Sequence, residues 1–110
     1  MPKTRKLIFN LGGAKYKYLP DSKTKHYGYC SDPNAKKRFI AIGKKCRDNP
    51  KLELDTLIHE MLHALGPFAK EDWVNDTAYD IAEALWQLGY RKTDTDGETA
   101  QTPEKGDNGS

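Results

Sequence analysis

The run Asn49-Pro50-Lys51-Leu52-Glu53-Leu54-Asp55-Thr56-Leu57-Ile58-His59-Glu60-Met61-Leu62-His63-Ala64-Leu65-Gly66-Pro67 decides how the chain folds. Asn49 is a good helix N-cap, and Pro50 has its φ pre-set for the first helical position. Leu54, Ile58, Met61, Leu62 and Leu65 recur at helical spacing, and Gly66-Pro67 supplies the stop. The pattern predicts an amphipathic helix over residues 51–65. A second series, Val74, Ala78, Ile81, Leu85 and Leu88, ends at Gly89 and predicts another helix over 71–88.

Working back from Asn49, the character of the chain changes. Arg38-Phe39-Ile40-Ala41-Ile42, closed by Gly43, is the clearest strand. Tyr27-Gly28-Tyr29-Cys30 is a short extended piece followed by the turn Ser31-Asp32-Pro33-Asn34. Ala14 to Leu19 alternates lysine and tyrosine as a half-exposed strand does, and Pro20-Asp21-Ser22 is expected to break it. Lys6 to Asn10 forms a first strand, ended by Leu11-Gly12-Gly13. The fold expected is therefore α+β, with a small N-terminal antiparallel sheet followed by two helices. Residues 1–92 form one domain, since 110 residues bury one modest core and no internal repeat is visible. Residues 93–110 hold Ala100 as their only apolar residue and are expected to be a disordered polar tail.

Charge is unevenly divided. Residues 1–47 carry thirteen Lys and Arg against Asp21 and Asp32, a net +11, while the remainder carries five basic and fourteen acidic residues, a net −9. A basic half can serve nucleic acid or an acidic substrate, but the lysines are dispersed and no nucleic-acid motif accompanies them, so solvated strand faces are the simpler reading. No apolar run is long enough for a membrane span, and Leu7-Ile8-Phe9 is too short for the core of a secretion signal. A cytoplasmic monomer with Cys30 and Cys46 both free is the expectation, because that pair lacks the spacing of a structural zinc site.

Chemistry concentrates in His59-Glu60-Met61-Leu62-His63. Residues four apart share one helix face a turn apart, so His59 and His63 can offer two imidazole nitrogens to one ion. Glu60 lies one step round, near enough to act on a metal-bound water without displacing it. Two neutral histidines, a carboxylate base and an open position are what a hydrolytic zinc site needs, since zinc lowers the pKa of its water to about 7. The pattern arises by chance in roughly one shuffled sequence of this composition in two hundred.

The segment Thr56 to Leu65 resembles the active-site helix of zincin metallopeptidases. The order Tyr27 to Cys30, then Phe39 to Ile42, then this helix is similar to the SprT-like zincins and to minimal peptidase-like proteins of bacteriophages and bacteria. The resemblance implies bound Zn2+ and hydrolysis of a protein or peptide, with His59 and His63 as ligands and Glu60 as general base. SprT-like proteins supply a third histidine downstream, and none follows His63 here; His26 lies upstream and reads as a surface residue. Gluzincins instead use an acidic ligand from a later helix, followed four residues on by an aspartate that supports a ligand histidine. Asp76 and Asp80 offer that spacing, with Asp76 the ligand and Asp80 the orienting carboxylate. Asp80 nevertheless lies nearer the apolar border, so the two roles stay interchangeable. Glu71 and Asp72 read as ordinary helix-dipole complements.

Phe39, Ile40, Ala41 and Ile42 are the candidate edge strand on which an extended peptide would dock. Tyr79 and Tyr90 are weaker candidates for stabilising an oxyanion. Two other readings stay open: a catalytically silent zincin fold that binds zinc or a host factor, and a small basic nucleic-acid binder with an incidental motif.

Overall fold

The computed structural model describes residues 7–92. Strands β1 (Ile8–Leu11), β2 (Ala14–Ser22), β3 (Gly28–Cys30) and β4 (Phe39–Gly43) precede a single 3-10 turn at Lys44–Cys46, then α1 (Pro50–Leu65) and α2 (Glu71–Gln87). The architecture is α+β as the patterning requires, and both helices fall within a residue of the expected bounds. α1 starts as anticipated: Leu52 N–H donates to the Asn49 side chain at 3.2 Å, with Pro50 in the first turn.

The four strands lie in the order β1-β2-β4-β3. β1 and β2 form a hairpin over Gly12-Gly13, whose φ values of 61° and 82° suit glycine and match the two-residue turn that opposes Leu11 to Ala14. β3 and β4 are also antiparallel, but β2 and β4 run parallel, so the sheet is mixed rather than wholly antiparallel. Nor does Pro20-Asp21-Ser22 end β2. The strand continues through an irregularity between Leu19 and Ser22, with Asp21 at φ 57° and its carboxylate held 3.0 Å from Arg47 Nε.

The sheet order corrects one expectation about function. Phe39, Ile40, Ala41 and Ile42 are not an edge strand: β4 is paired on both sides and cannot accept a further chain. The most apolar strand takes the interior position because Ile40 and Ile42 bury completely toward the helices, while Ala41 is 6% exposed on the opposite face. The strand with one unpaired edge beside the helices is β3.

Tyr16, Tyr18, Leu11, Ile40, Ile42, Cys46 and Ala64 form the core, with Leu52, Leu57 and Met61 of α1 closing over it. α1 is the middle layer, packed on the sheet and on α2, whereas α2 rests on α1. The helices are antiparallel: Lys51 at the start of α1 pairs with Glu83 late in α2, and His63 near its end meets Glu71 at the start of α2. The side of α1 turned to the sheet is Thr56, Glu60 and Ala64, all buried, rather than the row through Leu54, Ile58, Leu62 and Leu65. This is possible because β3 offers no side chain at the crossing. A Cβ on Gly28 would stand 2.6 Å from Thr56 Cγ2, 3.1 Å from Glu60 Cγ and 3.2 Å from the Ala41 carbonyl.

Gly28→Ala should therefore destabilise the protein by about 1 to 3 kcal/mol, the usual range for overpacking. Adding Thr56→Ser, which deletes the clashing Cγ2 and keeps the hydroxyl, should return part of that loss. Chemical denaturation of the two single variants and the double variant measures the coupling, and strict additivity would show that the crossing is not this tight.

Candidate metal centre

With the sheet on one side of α1 and α2 on the other, the helical period leaves His59 and His63 pointing into the angle between them. Their Nε2 atoms are 3.0 Å apart and their rings meet edge to face, with centroids 4.7 Å apart. Glu71, the first residue of α2, reaches back across the helix pair. Its Oε2 lies 3.1 Å from His59 Nε2 and its Oε1 3.1 Å from His63 Nε2. Among the described residues these three side chains form a group whose donor atoms converge closely enough to hold one metal ion.

Such a donor set could hold a divalent ion such as zinc: two imidazole nitrogens and one carboxylate oxygen would leave a fourth tetrahedral position open, and the 3.0 Å between the two Nε2 atoms is close to the roughly 3.3 Å that separates ligands on a tetrahedral ion. Each histidine meets a different oxygen of Glu71, and the two Nε2 atoms meet one another, so the three side chains gather their donor atoms round one point.

Glu60 lines the same cleft as this group, with its Cγ against Gly28, and is only 7% exposed. Burial, and then the charge of Glu71, push its carboxyl up from the ordinary value to about 7. It is thus a group that holds or releases a proton near neutrality without being one of the three converging donors. A cleft of about 950 Å³ opens over the centre, walled by β3 and α1. Lys25, Lys45, Asp32 and Pro67 also line it.

Of the residues singled out from the sequence, His59, Glu60 and His63 come together here. Asp76 and Asp80 do not join them: both are exposed on α2, outside the converging group. The reason is the antiparallel hairpin, which sets the first turn of α2 beside the last turns of α1 and carries later residues away. Within α2 it is Glu71 and, one turn on, Asn75 that line the cleft. The signal for Glu71 was the short link Gly66 to Lys70, which leaves α2 little room to begin anywhere but beside His63; its first-turn position made it look like a routine dipole complement instead. His26 is exposed on the cleft wall near Lys25 and takes no part in the group. Tyr79 and Tyr90 are more than half exposed and absent from the cleft, whose tyrosines are Tyr27 and Tyr29. Both cysteines are free thiols; burial, with the charge of Glu60, pushes Cys30 up to about 11, so neither geometry nor acidity makes it a thiolate ligand.

No protein-family model, curated protein or solved structure matches the chain. Its chemistry must be read from the site itself.

Two measurements probe that site. In a zinc titration competed against a chelator, Glu71→Ala should lower affinity by at least about 10- to 100-fold, whereas Asp76→Ala and Asp80→Ala should leave it unchanged. A reversed order of damage would move the third ligand to the middle of α2. The second measurement is the stability of metal-free protein against pH. Because the folded-state pKa of Glu60 is raised, its contribution is complete below the ordinary value of 4.5 and is lost as pH rises through about 7. The loss is at most on the order of 3 kcal/mol, since each tenfold change in proton affinity corresponds to about 1.4 kcal/mol. Glu60→Gln should flatten that decline, and an unaltered pH profile would mean that Glu60 is well solvated.

Proposed function

We propose that the protein is a zinc-dependent metallopeptidase in which His59, His63 and Glu71 hold the metal and Glu60 is the general base. The observation that carries this reading is the convergence of two imidazole nitrogens and both oxygens of one carboxylate, with a second, buried carboxylate beside them and outside the group. Zinc bound there supplies a Lewis acid that makes a nucleophile from water near neutral pH and polarises a carbonyl.

The chain's own residues account for the rest. Glu60, with its carboxyl near 7, accepts a proton from the attacking water and passes it to the departing amine, the two transfers that peptide hydrolysis requires. Gly28 lets Glu60 sit low in the cleft, and Thr56 packs beside it, so the carboxylate has little freedom to swing away. The substrate strand is received by β3 rather than by β4. β3 lines the cleft and is hydrogen-bonded on one side only, so an extended peptide can add to its free edge and be carried past Glu60. Support for the reading also comes from the resemblance of Thr56 to Leu65 to the zincin active-site helix, with Glu71 filling the acidic position that gluzincins take from a later helix.

Glu60→Gln keeps shape and removes the base. Zinc content should be retained, while hydrolysis of an unstructured protein such as casein, followed by release of new amino termini, should fall by roughly 10² to 10⁴. Equal rates in the two zinc-loaded proteins would remove Glu60 from the chemistry. Zinc retention with no hydrolysis by either, over a broad peptide pool, would favour a silent zinc-binding fold.

A further inference from the structure

The sheet has a second face that nothing in the described structure covers. α1 packs on the side of Tyr16, Tyr18, Ile40 and Ile42, and α2 rests on α1. Strand register puts the alternate residues on the other side: Ile8 opposes Lys17, which opposes Phe39, and Leu19 opposes Ala41, which opposes Tyr29. Tyr29, on the edge strand where it also borders the cleft, is 50% exposed, and its ring lies against Phe39 with centroids 5.8 Å apart and planes 34° from parallel. Ile8 and Leu19 are also exposed, and Lys15 and Lys17 stand beside them. Among the outward residues of the regular ladders none is acidic; Asp21, exposed in the irregular end of β2, is paired with Arg47.

We propose that this outer face binds a single nucleic-acid strand without sequence preference, stacking bases on Tyr29 and Phe39 and pairing phosphates with Lys15 and Lys17. Charge complementarity selects the occupant. Among the described residues, 7–47, which contain every strand, carry ten Lys and Arg against Asp21 and Asp32, a net +8, while 48–92, which contain both α-helices, carry four basic and nine acidic residues, a net −5. The sheet half of the molecule is therefore the basic one, and its outer face sets Lys15 and Lys17 beside an aromatic pair on β4 and the edge strand β3, the combination that single strands require. A second copy of the chain is disfavoured by the same charge, because two such faces would set lysine against lysine. Duplex is a poorer fit, since its bases are already stacked and offer no ring to Tyr29.

The test is fluorescence anisotropy of a labelled oligothymidylate titrated with the full chain at low salt. Affinity should fall with added salt at a log–log slope of roughly −0.7 for each phosphate paired, hence about −1.4 for Lys15 and Lys17 together. Tyr29→Ala should weaken binding by roughly 10-fold and Tyr29→Trp should restore it, as stacking energies of about 1 to 3 kcal/mol per base imply. Lys17→Glu should weaken it and flatten the salt slope, and His59→Ala should change nothing, which separates this surface from the metal centre. Circular dichroism confirms that each variant is folded. Binding that survives both Tyr29→Ala and Lys17→Glu in folded protein would overturn the proposal. So would absence of oligonucleotide binding, or a preference for phosphatidylserine vesicles that is itself lost in Tyr29→Ala, which would make the face a membrane-docking surface.

Discussion

α1 has to satisfy two neighbours at once, and the rest of the molecule follows from how it does so. One side lies against the sheet and another against α2, and the main cleft opens along a strip between them, where His59 and His63 stand. The approach to the sheet is close because β3 presents Gly28 at the crossing. A larger residue there would lift α1 and, with it, the histidines, the buried carboxylate and the start of α2. Packing and site geometry are in this sense a single constraint.

How much of this was legible in the sequence depends on the range of the interaction involved. The two helices, with their cap at Asn49 and stop at Gly66-Pro67, are local features, and their bounds follow from periodicity and end signals. His59, Glu60 and His63 share one helix, so their proximity is fixed by helical geometry alone. Strand order is a non-local property. Nothing near Phe39 to Ile42 in the chain announces that β4 inserts between β2 and β3, although its nearly continuous apolar run is what a strand covered on both edges tends to have. Glu71 was missed for a related reason. Its role depends on where the hairpin of helices closes, whereas Asp76 and Asp80 were attractive for their spacing with no knowledge of which side of α2 faces α1.

The buried carboxylate shows how function and stability oppose each other in a small domain. Glu60 occupies a place in the helix row that packs on the sheet, where a leucine or methionine would bury apolar area instead. Its desolvation weakens the fold near neutral pH, and the same desolvation brings its proton affinity to the range in which it can exchange protons at useful rates.

The group of His59, His63 and Glu71 bears on the mechanics of the helix pair. His63 is near the end of one helix and Glu71 begins the next, so an ion held by both would bridge the two sides of a very short link. Closing so small a loop removes little disorder from the unfolded chain, and the ion's effect on global stability is correspondingly modest through that route. What it would tie together is the end of α1 and the start of α2, which both border the cleft, so the ion would be a strut across the groove as well as a reagent inside it.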